Sequence, residues 1–288
     1  MFSRKKSAIS GILLVLPYTA GFLLFYGYPF VLVLRQSLRR GAGKNAQFVG
    51  LEIIADTLRS SGFRLALGNT IKFLAVVLPA ILVLSFAIAL TLRAQMSSRD
   101  VLRSVVLLPY LMPVVGAAFM VDSFLAQGGM LSRLAAAFGG TAQNLLDSPA
   151  AFWAVVLLYL WKNTGYSVIL LLAGLNTIPP SYYEAAQLDG AGKWQLLRYI
   201  TMPQMWYSLY LAGVFSLINA FKCFREIFLI GGEHPNRSMY MLQHFINNVF
   251  EKMDYSRLSA ASMVLFLVLV AVFVASYWFV MRKEAAAE

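Results

Sequence analysis

Residues 71–92 read IKFLAVVLPAILVLSFAIALTL, and this stretch indicates a helix inside a lipid bilayer. Its only charged residue is Lys72, close to one end. About 20 mostly apolar residues are enough for a helix to cross the hydrocarbon core. Five more stretches have this character: 11–34, 105–126, 150–175, 206–230 and 260–281. The sequence therefore predicts an all-α integral membrane protein with six transmembrane helices, and prolines such as Pro79 predict kinks within them.

The composition of the whole chain supports the same class. Of its 288 residues, 59% are hydrophobic and 13% are charged, whereas soluble domains have about 25% charged residues. The net charge of +11 is better explained by loops near anionic lipid than by a nucleic-acid surface. The single cysteine, Cys223, lies in an apolar run, so we expect no disulfide framework and no metal site.

The orientation in the membrane follows less clearly from the charges. The basic residues before the first span are followed by apolar sequence as far as residue 34, too long for a cleaved signal, so we expect a retained helix. Six spans place both termini on one side. Lysine and arginine are divided almost equally between the sides; the short loops favour cytoplasmic termini, and the basic stretch 35–40 favours the reverse. We expect one transmembrane domain over 1–288, with the first span and an outer loop in 1–68 and the core spans in 69–282.

The most polar stretch close to the membrane is residues 176–205, between the fourth and fifth predicted spans. It contains GAGK at 190–193, which is similar to the end of a phosphate-binding loop. Such a loop also requires a glycine five positions before the Gly-Lys pair and a Ser or Thr directly after it. Gln187 and Trp194 occupy those positions. The stretch is therefore not predicted to bind a nucleotide.

Local signals in 176–205 predict two short helices joined by a turn on the cytoplasmic surface. Ser181 and Glu184 have the spacing of a capping box for a helix that begins at Tyr182. Gly190 suits a left-handed helix end. A second helix is predicted from about residue 192 until Pro203 halts it.

The spacing of residues in this stretch resembles the EAA loop of the transmembrane subunits of binding-protein-dependent ABC importers. A Glu-Ala-Ala run is followed after three residues by glycine, after nine more by Ile200, and then by Met202-Pro203, with methionine where the family usually has leucine. Other segments, such as 47–52 and 68–70, look like landmarks of maltose-type sugar permeases. The resemblance covers essentially the whole chain. Its residues for ATPase coupling would be Glu184, Ala185, Ala186, Asp189, Gly190, Ile200 and Pro203.

The resemblance implies the six-helix bundle of a type I ABC importer permease, without catalytic residues. The chain would move a sugar or sugar-derived solute across a bacterial inner membrane, with both termini in the cytoplasm. It implies a cytoplasmic ABC ATPase dimer that carries ATP and magnesium, and an extracytoplasmic solute-binding protein. It also implies a second permease subunit, which would make a heterodimer; a homodimer of this chain is the alternative. The EAA loop would be a coupling helix seated in a groove of the ATPase. The alternative is that Glu184 only caps its helix, Gly190 only makes the turn, and Trp194 and Leu197 pack under the bundle.

Several ionisable residues fall inside predicted spans, where an isolated charge costs about 2.5 to 3.5 kcal/mol on insertion scales. Lys162 lies roughly 18 Å along its helix from Ala150, close to the membrane midplane. Lys222 and Glu226 are four residues apart, which puts them on one helix face where they can pair with each other. The predicted translocation pathway consists of Tyr159, Lys162, Asn219, Lys222 and Glu226. In the structural alternative, the basic residues of the fifth span extend to the interface and Glu226 neutralises them.

Two other function classes fit the sequence less well. An ion-coupled secondary transporter would need intramembrane carboxylates and often has inverted repeats, but Glu226 is the main candidate and no repeat is visible. An integral-membrane enzyme would need a cluster of catalytic groups near the membrane. The two histidines, His234 and His244, lie in one predicted outer loop without a neighbouring cysteine. Neither class is favoured.

Overall fold

The computed structural model describes residues 14–41, 46–94, 99–126, 128–138, 144–233 and 235–285. Within them a short antiparallel pair of strands accompanies a set of helices, which confirms the all-α prediction. The strands are β1 (Arg39–Arg40) and β2 (Gln47–Phe48). The helices are α1 (Leu14–Ser37), α2 (Glu52–Arg59), α3 (Ser61–Ala94), α4 (Arg99–Leu111), α5 (Val114–Leu125), α6 (Met130–Ala137), α7 (Ala151–Asn176), α8 (Pro180–Leu188), α9 (Lys193–Gln195), α10 (Met202–Gln204), α11 (Trp206–Lys222), α12 (Phe224–Gly231), α13 (Leu242–Glu251) and α14 (Tyr255–Ala285).

Five helical segments among the described residues are long and apolar enough to cross a membrane. They are Leu14–Ser37, Ser61–Arg93, Val114–Leu134, Ala151–Asn176 and Tyr255–Trp278. Each overlaps one predicted span. The remaining predicted span, 206–230, is divided into α11 and α12 by a single turn residue, Cys223, so neither helix has the full length. The count of six spans therefore stays a prediction.

Prolines shape these helices in two ways. Pro29 and Pro203 each follow a π-helical segment, Leu23–Gly27 and Leu196–Thr201 respectively. A proline lacks an N–H group and clashes with the carbonyl four residues earlier, and the wider π turn leaves room for its ring. Pro113 instead precedes α5 as its N-cap and separates α4 from α5. Pro79 lies inside α3, which continues past it.

The chain divides into two compact units. One comprises Met1–Phe63 with Ile246–Val270, and the other Arg64–Phe245 with Ala271–Glu288. In the first unit, β1 pairs antiparallel with β2, and Arg40 bridges Glu52 and Asp56 at 3.2 and 2.9 Å. The Phe30 and Phe266 rings meet edge to face with centroids 5.0 Å apart. The prediction of one domain over 1–288 stays a prediction.

The second unit holds the candidate sites and its core has three parts. One part joins α3, α7 and the α11–α12 region through Phe73, Val77, Ile81, Phe152, Tyr159, Ala220 and Ile227. Another lies at the opposite end of α7 and includes Leu92, Leu171, Leu175, Ile178, Met205 and Ala212. A third joins α5 and α7 through Ala117, Val121 and Leu158. Helix α7 runs through all three, so its polar residues are fixed on a rigid element.

Helices α4 and α7 approach each other closely at Gly165. A Cβ atom at this position would lie 2.0 Å from the Val106 carbonyl oxygen. Only glycine therefore permits this separation of the two backbones, as small residues commonly do between membrane helices.

Candidate coupling and translocation sites

The surface hairpin, defined here as residues 180–204, begins differently from the sequence prediction. Helix α8 starts at Pro180, with Pro179 as its N-cap in an extended conformation. Among the residues that the structure describes, no side chain caps this helix end, so the predicted capping box of Ser181 and Glu184 is wrong. Proline at the first helical position has its φ angle preset for a helix and needs no partner for an N–H group. Helix initiation by Pro180 therefore removes the need for a cap at Ser181.

The end of α8 confirms the predicted left-handed turn. Gly190 has a φ angle of +83°. The Gly190 amide donates to the Gln187 carbonyl at 3.0 Å, and the Ala191 amide donates to the Ala186 carbonyl at 2.9 Å. These two bonds form a Schellman motif, which favours glycine at the left-handed position. The turn geometry is thus fixed by hydrogen bonds between backbone groups.

Three of the four backbone amides of the GAGK stretch already have hydrogen-bond partners. Besides the amides of Gly190 and Ala191, the Gly192 amide donates to Gln195 Oε1 at 2.7 Å. A phosphate-binding loop requires such amides to point at the ligand. The exclusion of nucleotide binding at this stretch therefore agrees with the geometry.

The tip of the surface hairpin presents apolar side chains to the exterior. Leu188 is 90% exposed and Trp194 is 71% exposed, so the alternative in which Trp194 packs under the bundle is wrong. Glu184, Ala185, Asp189 and Gly190 are exposed, and Ala186 is half-buried. Large apolar side chains that protrude together from a short, rigid turn are typical of a surface that binds a partner.

The second arm of the hairpin does not end at Pro203, contrary to prediction. Helix α9, the π segment Leu196–Thr201 and α10 follow one another, and α11 begins after Met205. The π segment accommodates the proline ring, so the chain stays helical through Pro203, which is exposed. Ile200 is half-buried and packs against the core group that contains Leu175 and Met205. Ile200 and Pro203 thus belong to the base of the hairpin, away from its tip.

A polar chain that the sequence did not predict fastens the base of the hairpin. Arg93, in the last turn of α3, donates from Nη1 to the Tyr183 hydroxyl at 2.9 Å. Its guanidinium carbon lies 4.7 Å from the centre of the Tyr183 ring. The Tyr183 and Thr201 hydroxyls are 3.0 Å apart. The one sequence signal for this contact was that Tyr183 lies directly before Glu184.

The deepest charges form a buried ion pair between two helices. Lys162 Nζ lies 2.5 Å from Glu226 Oε1, and the two residues are 9% and 6% exposed. The predicted pairing of Lys222 with Glu226 is wrong, because Cys223 interrupts the helix between them and Lys222 is exposed. Arg225 is also exposed. Lys162 of α7 is therefore the partner of Glu226.

Further polar groups lie on α7 within a few residues of Lys162, and on the neighbouring helix α11. The Tyr159 hydroxyl donates to the Ser216 carbonyl at 2.5 Å, and Ser167 and Ser216 share a hydrogen bond of 3.2 Å. Asn163 donates to the Tyr159 carbonyl at 2.9 Å. Sequence reasoning missed Asn163, Ser167 and Ser216, although Asn163 and Ser167 are polar residues four apart within an apolar span.

The predicted pathway residues are only partly brought together. Lys162 and Glu226 are in contact, and Tyr159 is buried with its hydroxyl bonded to Ser216. Asn219 is half-buried and Lys222 is exposed. Glu226 Oε2 is buried and has no hydrogen-bond partner among the described residues. An acceptor of this kind can receive a hydrogen bond from a hydroxyl group that enters the site.

The described part of the chain contains no cluster of histidines of the kind considered above for an integral-membrane enzyme. His244 is buried, and its burial lowers the pKa of the imidazole to about 4. Its Nδ1 accepts from the Met241 amide at 3.3 Å. His234 lies outside the described residues. The side chains described here form no group of three or more potential metal ligands.

Comparison with known proteins places this geometry in a family. A family model described as a binding-protein-dependent transport system inner membrane component matches residues 81–282. The trehalose/maltose transport system permease protein MalF of Thermococcus litoralis is 30% identical over 272 residues, covering 92% of each chain. The lactose transport system permease protein LacF of Rhizobium radiobacter is 28% identical over 249 residues, covering 84% of this chain and 83% of the relative.

A solved structure shows the same fold. A bacterial ABC transporter involved in the import of the acidic polysaccharide alginate contains a chain that superimposes with a TM-score of 0.85 at 23% identity, with 98% of each chain covered. The family consists of transport components, not enzymes. The family assignment also sets aside the ion-coupled secondary transporter. This chain belongs to the binding-protein-dependent transport system inner membrane components, the permeases of ABC importers.

Proposed function

We propose that this permease imports a sugar or sugar-derived solute and is driven by a separate ATPase bound to the surface hairpin. The carbohydrate class is supported by the names of relatives, which transport trehalose, maltose and lactose. The observation that carries the coupling role is the hairpin itself: a hydrogen-bonded turn that exposes Leu188 and Trp194. ATP and magnesium would be bound by the ATPase and not by this chain.

The hairpin has the properties of a ligand for a groove. Its tip is exposed and apolar, its turn is locked by the Schellman bonds at Gly190, and its base packs on the core through Ile200. Helix-in-groove recognition uses a short preformed helix with an apolar face. Because the turn is already ordered in the permease, little conformational entropy is lost when it binds. Ala185 and Ala186 allow close approach of the partner, and Glu184 and Asp189 supply negative charge beside it.

The translocation route is assigned to the polar groups around α7. Sugars carry many hydroxyl groups, which must exchange their hydrogen bonds to water for hydrogen bonds to protein when they enter the membrane. The unpartnered Oε2 of Glu226 and the neighbouring Lys162 offer an acceptor and a charged donor deep in the unit. Tyr159 and Asn219 complete the proposed lining, and Lys222 stands at its exposed end.

The remaining partners follow from the same proposal. Members of this family act with a solute-binding protein, which we place on the extracytoplasmic side, and both termini are placed in the cytoplasm. A second permease subunit is needed because the chain contains one EAA loop and the ATPases act in pairs. We assign a heterodimer in a bacterial inner membrane.

The test uses the whole transporter: this permease co-expressed with its second permease, the ATPase and the binding protein. Glu184→Lys reverses a charge on the exposed face of α8, so we expect less ATPase to co-purify and uptake of radiolabelled trehalose, maltose and lactose to fall together. Glu251→Lys, which reverses an exposed carboxylate on α13 in the predicted outer loop, is the matched control for ATPase retention and should not change it. Unaltered ATPase retention in Glu184→Lys would contradict the docking role. Absence of uptake of all three sugars by the wild type would contradict this choice of substrates.

A further inference from the structure

A series of hydrogen bonds fastens the surface hairpin to α3. It involves Arg93, Tyr183, Thr201 and Leu196, which all lie in one compact unit. Thr201 Oγ1 donates to the Leu196 carbonyl at 3.2 Å, which uses its single proton. The Tyr183 hydroxyl must therefore donate to Thr201 across their 3.0 Å contact. The Tyr183 oxygen is then left to accept from Arg93, as its 2.9 Å distance to Nη1 requires. Each hydroxyl proton in this series of hydrogen bonds therefore has one consistent position.

Arg93 also reaches the segment that joins α7 to the hairpin. Its Nη2 donates to the Ile178 carbonyl at 3.4 Å, one residue before the N-cap of α8. The guanidinium group stacks over the Tyr183 ring at the same time. Arginine is suited to such a position because it has several donors in a fixed plane and a face that stacks on aromatic rings. Arg93 of α3 therefore contacts both the segment that follows α7 and the first arm of the hairpin, and Tyr183 links this group to Thr201 on the second arm.

Packing beneath this polar chain makes the junction stiff. Thr201, Ile178, Leu175 and Met205 are buried, and Tyr183 and Ile200 pack against the same group. Unlike Thr201 on the same arm of the hairpin, Arg198 is exposed. The base of the hairpin is thus held on two sides, whereas its tip, with Leu188 and Trp194, is exposed.

We infer that Arg93, Tyr183 and Thr201 form a clamp that makes the surface hairpin and the end of α3 move as one body. These are positioning residues: they do not contact the partner at the tip but determine which helix receives its displacement. A hairpin hinged at its base would absorb motion by flexing, and the membrane helices would stay in place. With the clamp closed, displacement of the tip is passed to α3, a span of 34 residues. This inference rests on the proposed coupling function.

The experiment measures rigidity in the complete transporter, with no need for an identified sugar. Spin labels are attached to cysteines introduced at Ser181 in α8 and Val83 in α3, both exposed, and Cys223, the only native cysteine, is buried. Distances are measured without nucleotide and after trapping with ATP and vanadate. In the wild type we expect one narrow distribution that is the same in both states. In Arg93→Gln and Tyr183→Phe we expect it to broaden and to shift on trapping.

Controls separate this inference from the proposed coupling function. Arg93→Lys keeps a charged donor, so we expect it to restore part of the narrow distribution that Arg93→Gln loses. If Arg93 only filled space, its charge would not matter and lysine would bring no such recovery. Tyr182→Phe removes the adjacent, exposed hydroxyl and should behave as the wild type. Narrow, unshifted distributions in both test variants, or a shift in the wild type, would overturn the clamp. Loss of the ATPase from a test variant would also overturn it, since the network would then shape the docking surface. Failure of the wild-type hairpin to retain the ATPase would instead refute the coupling function.

Discussion

Lys162 of α7 and Glu226 of α12 place two opposite charges in the buried interior of their unit. Burial of an ion pair costs desolvation free energy that its attraction only partly returns, so such a pair is weak grounds for stability alone. Intramembrane ionisable residues commonly mark a route for solutes or ions. The second carboxylate oxygen of Glu226, unpartnered among the described residues, supports the same interpretation. The pair can therefore be tested for stability and for transport separately.

Neutralising one member of the pair should be more damaging than neutralising both. Lys162→Met or Glu226→Gln alone leaves an uncompensated buried charge or donor, and breaking a buried pair in this way costs about 3 to 5 kcal/mol. The double variant leaves no charge and should recover most of the apparent melting temperature of the detergent-solubilised transporter. Uptake of labelled sugar should stay low in all three variants if the pair contributes to the route. Lys222→Met, at an exposed position, should change stability by less than about 0.5 kcal/mol.

A double variant that recovers both stability and uptake would show that the pair only holds α7 against α12. A double variant no more stable than either single variant would contradict the assignment of Lys162 as the partner of Glu226.

The contact between α4 and α7 depends on the absence of one side chain. Gly165→Ala would place a Cβ atom 2.0 Å from the Val106 carbonyl oxygen. Because this obstacle is backbone, the helices must separate, and overpacking of this kind costs about 1 to 3 kcal/mol. We expect a lower apparent melting temperature and reduced yield. Gly213→Ala is the matched control, because its nearest neighbour, Leu82 Cδ1, would be at 3.8 Å, an ordinary contact. Equal stability of the two variants would show that α4 yields easily.

Local sequence rules identified some features of these elements and failed at others. The apolar runs identified the five long apolar helices, and Gly190 was recognised because a left-handed helix end favours glycine. The capping box failed because Pro180 starts α8 earlier, and the halt at Pro203 failed because the preceding π segment accommodates the ring. No local rule predicted the two π segments; the second of them, Leu196–Thr201, packs on the core through Ile200.

Contacts between distant parts of the chain were beyond such rules. Lys162 and Glu226 are 64 residues apart and Arg93 and Tyr183 are 90 apart, so their pairing depends on how the helices pack. The prediction of a Lys222–Glu226 pair used local spacing alone. It failed because Cys223, which carries no helix-breaking signal, interrupts that helix. The resemblance to importer permeases succeeded where spacing did not, because it reflects the whole chain.

The counts of Lys and Arg do not decide the orientation of the molecule in the membrane. Cysteines introduced at exposed positions can test it directly. Cysteine introduced at Leu188, which is 90% exposed at the tip of the hairpin, should react with a membrane-impermeant maleimide only after cells are opened. Cysteine at Phe48, which is 71% exposed in β2, should react in intact cells. The two sites act as each other's control, and the buried Cys223 should contribute little background. Reaction of the Leu188 site in intact cells would place the hairpin outside, where no cytoplasmic ATPase could reach it, and would refute the coupling proposal as a whole.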